Sequence, residues 1–234
     1  TLVDQPPFHT TFWCADTGFF VFDLRGERAY DKGILVTERQ WRDFRHFLEE
    51  AAARQCSTIF IIASIPVIHF SPLMTVLMSG LPTELGNDIR DRWSSAPFER
   101  EREALLESLF AWERADPHRQ AIILSGDVHA GAAFRATARE GRGVIRQWTS
   151  SPLTTPTGIG HHLVNWLGSS LVNLGERALR IEREALVFGN NFGVVEVSPL
   201  PTGGHSVEYT LYNYLHDSGT IRPATRVTAR PTAP

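Results

Sequence analysis

Ala121-Ile122-Ile123-Leu124-Ser125-Gly126-Asp127-Val128-His129 is the stretch that decides how the rest of this chain is read. Its first four residues are an unbroken apolar run, the pattern of a strand buried on both faces. Ser125-Gly126-Asp127 ends the run. In open α/β sheets, ligands bind just beyond the carboxyl ends of such strands. Gly126 has no Cβ and admits a sharp turn there. If the extended path continues through Val128, Asp127 and His129 face the same side. A carboxylate and an imidazole so placed can face one metal or a metal pair, and this donor set suits zinc, iron or manganese. The same residues would also make a plain Gly-Asp turn with an incidental histidine.

A second run of the same kind lies upstream, Thr58-Ile59-Phe60-Ile61-Ile62-Ala63, ended by Pro66. Between the two runs, Ser95 and Pro97 open a helix whose apolar face is Leu105, Leu106, Leu109, Phe110 and Trp112. The segment from His69 to Ser95 has weak periodicity and is broken by Pro72, Gly80, Pro82 and Gly86, so it reads as a long, partly helical excursion. Before the first run comes a helix with Thr37 three residues ahead of Gln40, a capping box, and with Trp41, Phe44, Phe47, Leu48, Ala51 and Ala52 at helical spacing. Earlier still, Thr11–Cys14 and Phe19–Phe22 flank an Asp16-Thr17-Gly18 turn and read as a hairpin. That hairpin delivers a charged loop, Asp23-Leu24-Arg25-Gly26-Glu27-Arg28. Arginine suits bidentate phosphate binding, while an internal Asp–Arg or Glu–Arg pair that orders the loop accounts for the same residues.

Downstream, Ala132–Ala138 and Val144–Thr149 read as strands joined at Glu140-Gly141-Arg142-Gly143. Gly158–Leu174 reads as apolar and helical. Phe192–Val197 and Val207–Tyr214 form a closing hairpin around Pro201-Thr202-Gly203-Gly204. The order is strand, helix, strand, helix, strand, then mostly strands, which indicates an α/β layered domain with a β-rich C-terminal half. One domain is expected over residues 1–222, with a frayed tail over 223–234.

Composition bounds the function. The 234 residues hold 23 Lys+Arg and 26 Asp+Glu, a net charge of −3, with 42% hydrophobic residues. These are globular values and leave no nucleic-acid-binding signature. Cys14 and Cys56 are too few for a disulfide framework or a cysteine zinc site, although one bridge is open to them; Cys14, on a strand, reads as a small core residue. The longest apolar run falls far short of a membrane span, and no targeting signal is visible. The expectation is a soluble chain whose compartment, periplasmic, secreted or cytoplasmic, stays open along with its oligomeric state. A nucleophile elbow, a phosphate-binding Walker loop and a His-Glu-x-x-His pair are absent from the sequence.

Taken in order, several segments resemble the PhoD-like metallophosphatases, the alkaline phosphatase D family of the calcineurin-like metallophosphoesterase superfamily. Phe20-Val21-Phe22-Asp23-Leu24-Arg25 is similar to that family's strand followed by Asp-x-Arg. Gln40-Trp41 to Leu48 resembles its next helix. Arg92-Trp93, Pro97 and Glu99-Arg100 to Leu106 resemble its Trp segment and the helix after it. Leu124-Ser125-Gly126-Asp127-Val128-His129-Ala130 resembles its Gly-Asp-Val-His motif. Thr149-Ser150-Ser151-Pro152 and Asn190-Asn191-Phe192-Gly193 are similar to later segments. The resemblance implies part of a layered sandwich of mixed sheets flanked by helices. It also implies metal-dependent hydrolysis of a phosphate ester, with two metal ions (Fe, Zn, Mn or Ca) activating water. On it, Asp127 and His129 are metal ligands, and Asp23 and Arg25 belong to the catalytic site, Arg25 for phosphate. The family's earlier Asp-rich motifs have no counterpart before Phe8, so the chain reads as the C-terminal part of a member with apolar surface exposed where a further layer belongs. The alternative is a remnant of the fold that binds a ligand or partner without catalysis. A third reading, a mononuclear Asp/His site, needs a third ligand, for which His69 is the candidate. His161-His162 reads as a polar helix start, His118 as a surface residue, Asn190-Asn191 as turn chemistry, and Trp93 as either cleft wall or core.

Overall fold

The computed structural model describes residues 8–29, 32–79, 92–139, 143–155 and 158–231. β1 (Thr10–Cys14) and β2 (Thr17–Val21) form the expected hairpin, with the tight turn at Ala15, whose φ is 52°. α1 (Glu38–Ala53) follows. Thr37 caps it by accepting from the Gln40 N–H at 3.5 Å. The Gln40 side chain is directed elsewhere, onto the backbone of Asp23. Trp41, Phe44, Phe47 and Ala51 form the buried stripe of α1. β3 (Thr58–Ala63) and β4 (Gln120–Ser125) are buried almost throughout, as their unbroken apolar runs require.

Between β3 and β4 lie α2 (Pro72–Ser79), a short 3-10 turn (Ala96–Phe98) that Ser95 precedes without a side-chain capping bond and that holds Pro97, and α3 (Glu99–Arg114). The Gly80–Gly86 breaks of the expected excursion fall outside the described residues. β5 (Gly131–Ala138) and β6 (Val144–Thr149) are antiparallel; part of their expected connection also falls outside the described residues. α4 (Ile159–Ser170) precedes β7 (Leu179–Val187), β8 (Asn191–Pro199), β9 (His205–Leu215) and β10 (Thr220–Ala229).

Seven strands make the main sheet in the order β1-β2-β3-β4-β6-β5-β7; β2, β3, β4 and β6 are parallel neighbours and the outer pairings are antiparallel. β10-β9-β8 form a second, antiparallel sheet. One core lies between the main sheet and the helices, centred on Phe20, Phe44, Ile61, Trp93 and Ile123. A second lies between the sheets, where Trp148 stacks on Tyr209 at 5.0 Å and Phe60, Ile122, Val207 and Leu211 close around them. This is the expected α/β layered architecture.

Three expectations change. β7 was not anticipated, although Leu179, Arg180, Ile181 and Glu182 alternate in burial. The stretch from Pro223, expected to fray, is strand as far as Ala229. β9 pairs with it, and a register shift between Pro223 and Thr225 accommodates the missing proline N–H. Cys14 is exposed rather than in the core, and both cysteines are free, Cys56 being buried with its thiol pKa pushed up by desolvation. Apolar side chains are exposed on α4, with Leu163 at 60% and Trp166 at 51%. Among the described residues, no helix is long and apolar enough to cross a membrane.

Candidate functional site

The carboxyl ends of β2, β3, β4 and β6 lie side by side, and the loops leaving them carry the residues singled out above. After β2, the Asp23 carboxylate folds back on its own loop: Oδ1 accepts from the backbone N–H groups of Arg25 at 3.0 Å and Gly26 at 2.7 Å. A Cβ at position 26 would meet Asp23 Oδ2, so a larger residue there would have to displace the Asp23 carboxylate. From α1, the buried Gln40 grips Asp23 on both sides. Its Oε1 accepts from the Asp23 N–H and its Nε2 donates to the Asp23 carbonyl, each at 3.0 Å. Asp23 is therefore a loop organiser. Arg25 is the residue this loop presents.

Arg25 Nη2 donates to Asp127 Oδ2 at 2.9 Å across 102 residues of sequence, with the two side chains 61% and 45% exposed. Arg92, which is buried, donates from Nη1 to the Asp127 carbonyl at 2.9 Å and lies over the Phe70 ring at 5.7 Å. Two guanidinium groups thus converge on one residue. In the sequence Arg92 is one residue of the Arg92-Trp93 segment; the fold brings it to Asp127.

The turn after β4 differs from the expectation. The strand ends at Ser125, and the left-handed backbone falls on Asp127 (φ 62°) and His129 (φ 55°), with Gly126 outside that region. The extended path that would align Asp127 with His129 is not followed. Val128 between them is buried, Asp127 is exposed and His129 is half-buried. Ser150 N–H donates to the Ser125 carbonyl at 3.1 Å, bringing the Ser150–Pro152 loop alongside. Asn191 fixes that loop, accepting from Ser151 N–H at 3.0 Å and donating to the Ser151 carbonyl at 2.7 Å, which is the turn chemistry expected of it. Asn190 bonds His216 Nε2 at 2.8 Å and the Thr155 carbonyl at 3.3 Å.

His69, the candidate third ligand, is not grouped with Asp127 and His129 among the described residues. It is 1% exposed, and its Nε2 is 2.7 Å from Asn165 Oδ1. Asn165 Nδ2 in turn donates to the Val128 carbonyl at 2.7 Å. Desolvation, with smaller contributions from Arg92 and Arg183, pushes the His69 pKa down to about 3, against the Asn165 bond. Trp93 is fully buried and belongs to the core. His118 is exposed, as expected. His162 lies against Phe188 at 4.6 Å, and the His161 side chain is outside the described residues.

Asp127 and His129 are the two metal donors the sequence offered. Among the described residues, no group of three or more His, Cys, Asp or Glu side chains is placed to hold a metal ion. One Asp127 oxygen is already taken by Arg25. The described residues by themselves therefore do not fit a metal pair. What they do present is an arginine at the open end of a parallel sheet, paired through one N–H with the Asp127 carboxylate. A separate cleft of about 760 Å³, lined by Arg102, Phe110, Arg139 and Glu176 among others, includes none of these residues.

No family model matches the sequence, and no curated protein matches it. A solved structure of PhoD is similar, with a TM-score of 0.50 at 12% identity, over 94% of this chain and 44% of that one. The chain therefore spans less than half the length of that structure, and at this identity the likeness establishes a distant PhoD-like layered fold.

Proposed function

We propose that this chain carries a phosphate-ester-binding site of the phosphoesterase type, in which Arg25 takes the phosphoryl oxygens beside Asp127 and His129. The observation that supports it is the Arg25–Asp127 contact at the carboxyl ends of the parallel strands. The PhoD-like fold agrees with it. Arg25 now spends one N–H on a carboxylate. A phosphate monoester or diester offers the same fork two oxygens and can take that place. Asp23 serves by shaping the loop.

The resemblance extends this to a metal-dependent phosphatase or phosphodiesterase, with Asp127 and His129 as ligands to Fe, Zn, Mn or Ca. The remaining donors would have to come from outside the described residues. The two-donor set and the Arg25–Asp127 pairing favour a second reading, a fold that binds a phosphorylated ligand without hydrolysing it.

Titrating the chain with inorganic phosphate by calorimetry, followed by metal analysis and a generic diester assay, tests both. Arg25→Ala is expected to lose phosphate affinity while unfolding within about 1 kcal/mol of wild type, since the pair is exposed. Arg25→Lys is expected not to restore it. Unchanged phosphate affinity in Arg25→Ala would refute the assignment. Tight binding of two metals, abolished by Asp127→Asn with His129→Ala, would remove the non-catalytic reading.

A further inference from the structure

The turn Asp127-Val128-His129 places two non-glycine residues in the left-handed region. A residue other than glycine persists there only where its surroundings hold it. Arg92 and Arg25 hold Asp127 from one side. The middle of the turn is held from the other side by Asn165, whose Nδ2 donates to the Val128 carbonyl at 2.7 Å. Asn165 lies on α4, is 3% exposed, and has its orientation set by His69 on the loop after β3. Since the Nδ2 group of Asn165 donates to Val128, its Oδ1 faces His69 and must accept. His69 is fully desolvated and neutral, so its single proton sits on Nε2. Exchanging the Asn165 oxygen and nitrogen would set a donor against the His69 N–H and an acceptor against the Val128 carbonyl. The pair therefore admits one arrangement.

We infer that Asn165, oriented by His69, is a positioning residue that sets the Asp127–His129 turn in the geometry in which its two side chains flank the anion. This rests on the phosphate-binding reading above for its consequence, but the positioning itself can be read without any ligand. Neither residue touches the anion. Their effect passes through one carbonyl.

The test uses the whole chain and four variants. Asn165→Asp keeps the volume and the acceptor for His69 and, as the carboxylate, has no hydrogen to donate to Val128, so its spectra are recorded above the pH at which that buried carboxyl ionises. Asn165→Ala removes both bonds. His69→Gln retains an amide N–H for Asn165, and His69→Ala does not. The first readout is the NMR resonance of the His129 amide, which shares its peptide unit with the Val128 carbonyl, and of the His129 ring, at fixed pH without ligand. The second is affinity for inorganic phosphate. Asn165→Asp and Asn165→Ala are expected to displace the His129 resonances while those of β1 and β10 stay in place, and to weaken phosphate binding about tenfold, the worth of one buried hydrogen bond. His69→Gln should stay near wild type where His69→Ala follows Asn165→Ala. Wild-type His129 resonances in Asn165→Asp would overturn the inference, as would a His69→Gln variant indistinguishable from His69→Ala. Absence of phosphate binding by the unmodified chain would instead refute the phosphate reading and leave the resonance comparison standing.

Discussion

Glu113 is a buried acid whose proton affinity is set by its burial. It sits near the end of α3, 5% exposed, and its Oε2 accepts from the Val144 N–H at 2.6 Å. Desolvation pushes its pKa from an ordinary 4.5 up to about 7, although the Val144 N–H and Arg146 pull the other way. The folded state therefore holds this proton where the unfolded chain has released it. The resulting stability is fully present below pH 4.5 and is lost as pH rises through about 7. The amount is on the order of 3 kcal/mol. Urea unfolding of wild type between pH 4.5 and 7.5 should show this decline. Glu113→Gln, which still accepts from Val144, should flatten it; an equally steep decline in the variant would assign the pH dependence elsewhere. At this same scale, Asp23, Arg25, Asp127 and His129 were legible because each follows an apolar run at a strand end. Asn165 and Arg92 were not legible as site residues. The first is one polar position on an apolar helix. The second is an arginine 35 residues from the carbonyl it reaches, and only the folded chain brings the two together.

Elements here are tied to one another by charged groups as well as by apolar faces. Arg102 of α3 donates from Nε to the Val67 carbonyl at 2.9 Å and from Nη2 to Glu176 Oε2 at 2.8 Å, with the two side chains 3% and 5% exposed. One residue thus joins α3 to the loop after β3 and to the loop before β7. A pair so deeply buried adds little net stability over an apolar replacement, but removing one partner strands the other charge. Arg102→Met alone should destabilise the chain by about 3–5 kcal/mol, and adding Glu176→Leu should recover much of that loss. Chemical denaturation of the two singles and the double closes the cycle, and additive losses would show that the two side chains act independently. The helices and central strands were readable from periodicity because each buries an uninterrupted stripe or run. β7 and β10 were not. Arg180, Glu182, Glu184, Arg222 and Arg226 give them the polarity of surface chain, and what makes them strands is a neighbour, β5 for one and β9 for the other.

At the scale of the whole molecule, the question is what keeps the small sheet on the large one, because the loop beside the candidate site depends on it. The central strand of the small sheet, β9, supplies several of the polar and aromatic contacts, with Ala229 of β10 in the same core. At its start His205 meets Ser57 Oγ at 2.9 Å and Thr58 Oγ1 at 3.0 Å through Nδ1, and Asp16 Oδ1 at 3.1 Å through Nε2. Gln120 donates to the His205 carbonyl at 2.9 Å. Farther along, Tyr209 stacks on Trp148, and its hydroxyl donates to the Thr149 carbonyl at 2.8 Å. Burial pushes the Tyr209 pKa up, so the hydroxyl remains a donor. Thr149 is the last residue of β6 and leads directly into the Ser150–Pro152 loop, which Asn191 of β8 fixes from the other side. Tyr209→Phe keeps the stack and removes the hydroxyl with its bond to the Thr149 carbonyl and its contact with Ser150, so it should cost about 1–2 kcal/mol. Trp148→Ala removes the stack itself and should cost about 3–5 kcal/mol. Hydrogen exchange separates a loosened sheet from a uniformly weakened protein. In Tyr209→Phe the added exchange should appear in β8, β9, β10 and Ser150–Ser151, with β3 and β4 still protected. Equal acceleration across β3 and β4 would mean that the two sheets open as one unit, and that the loop next to the site has no separate dependence on the small sheet.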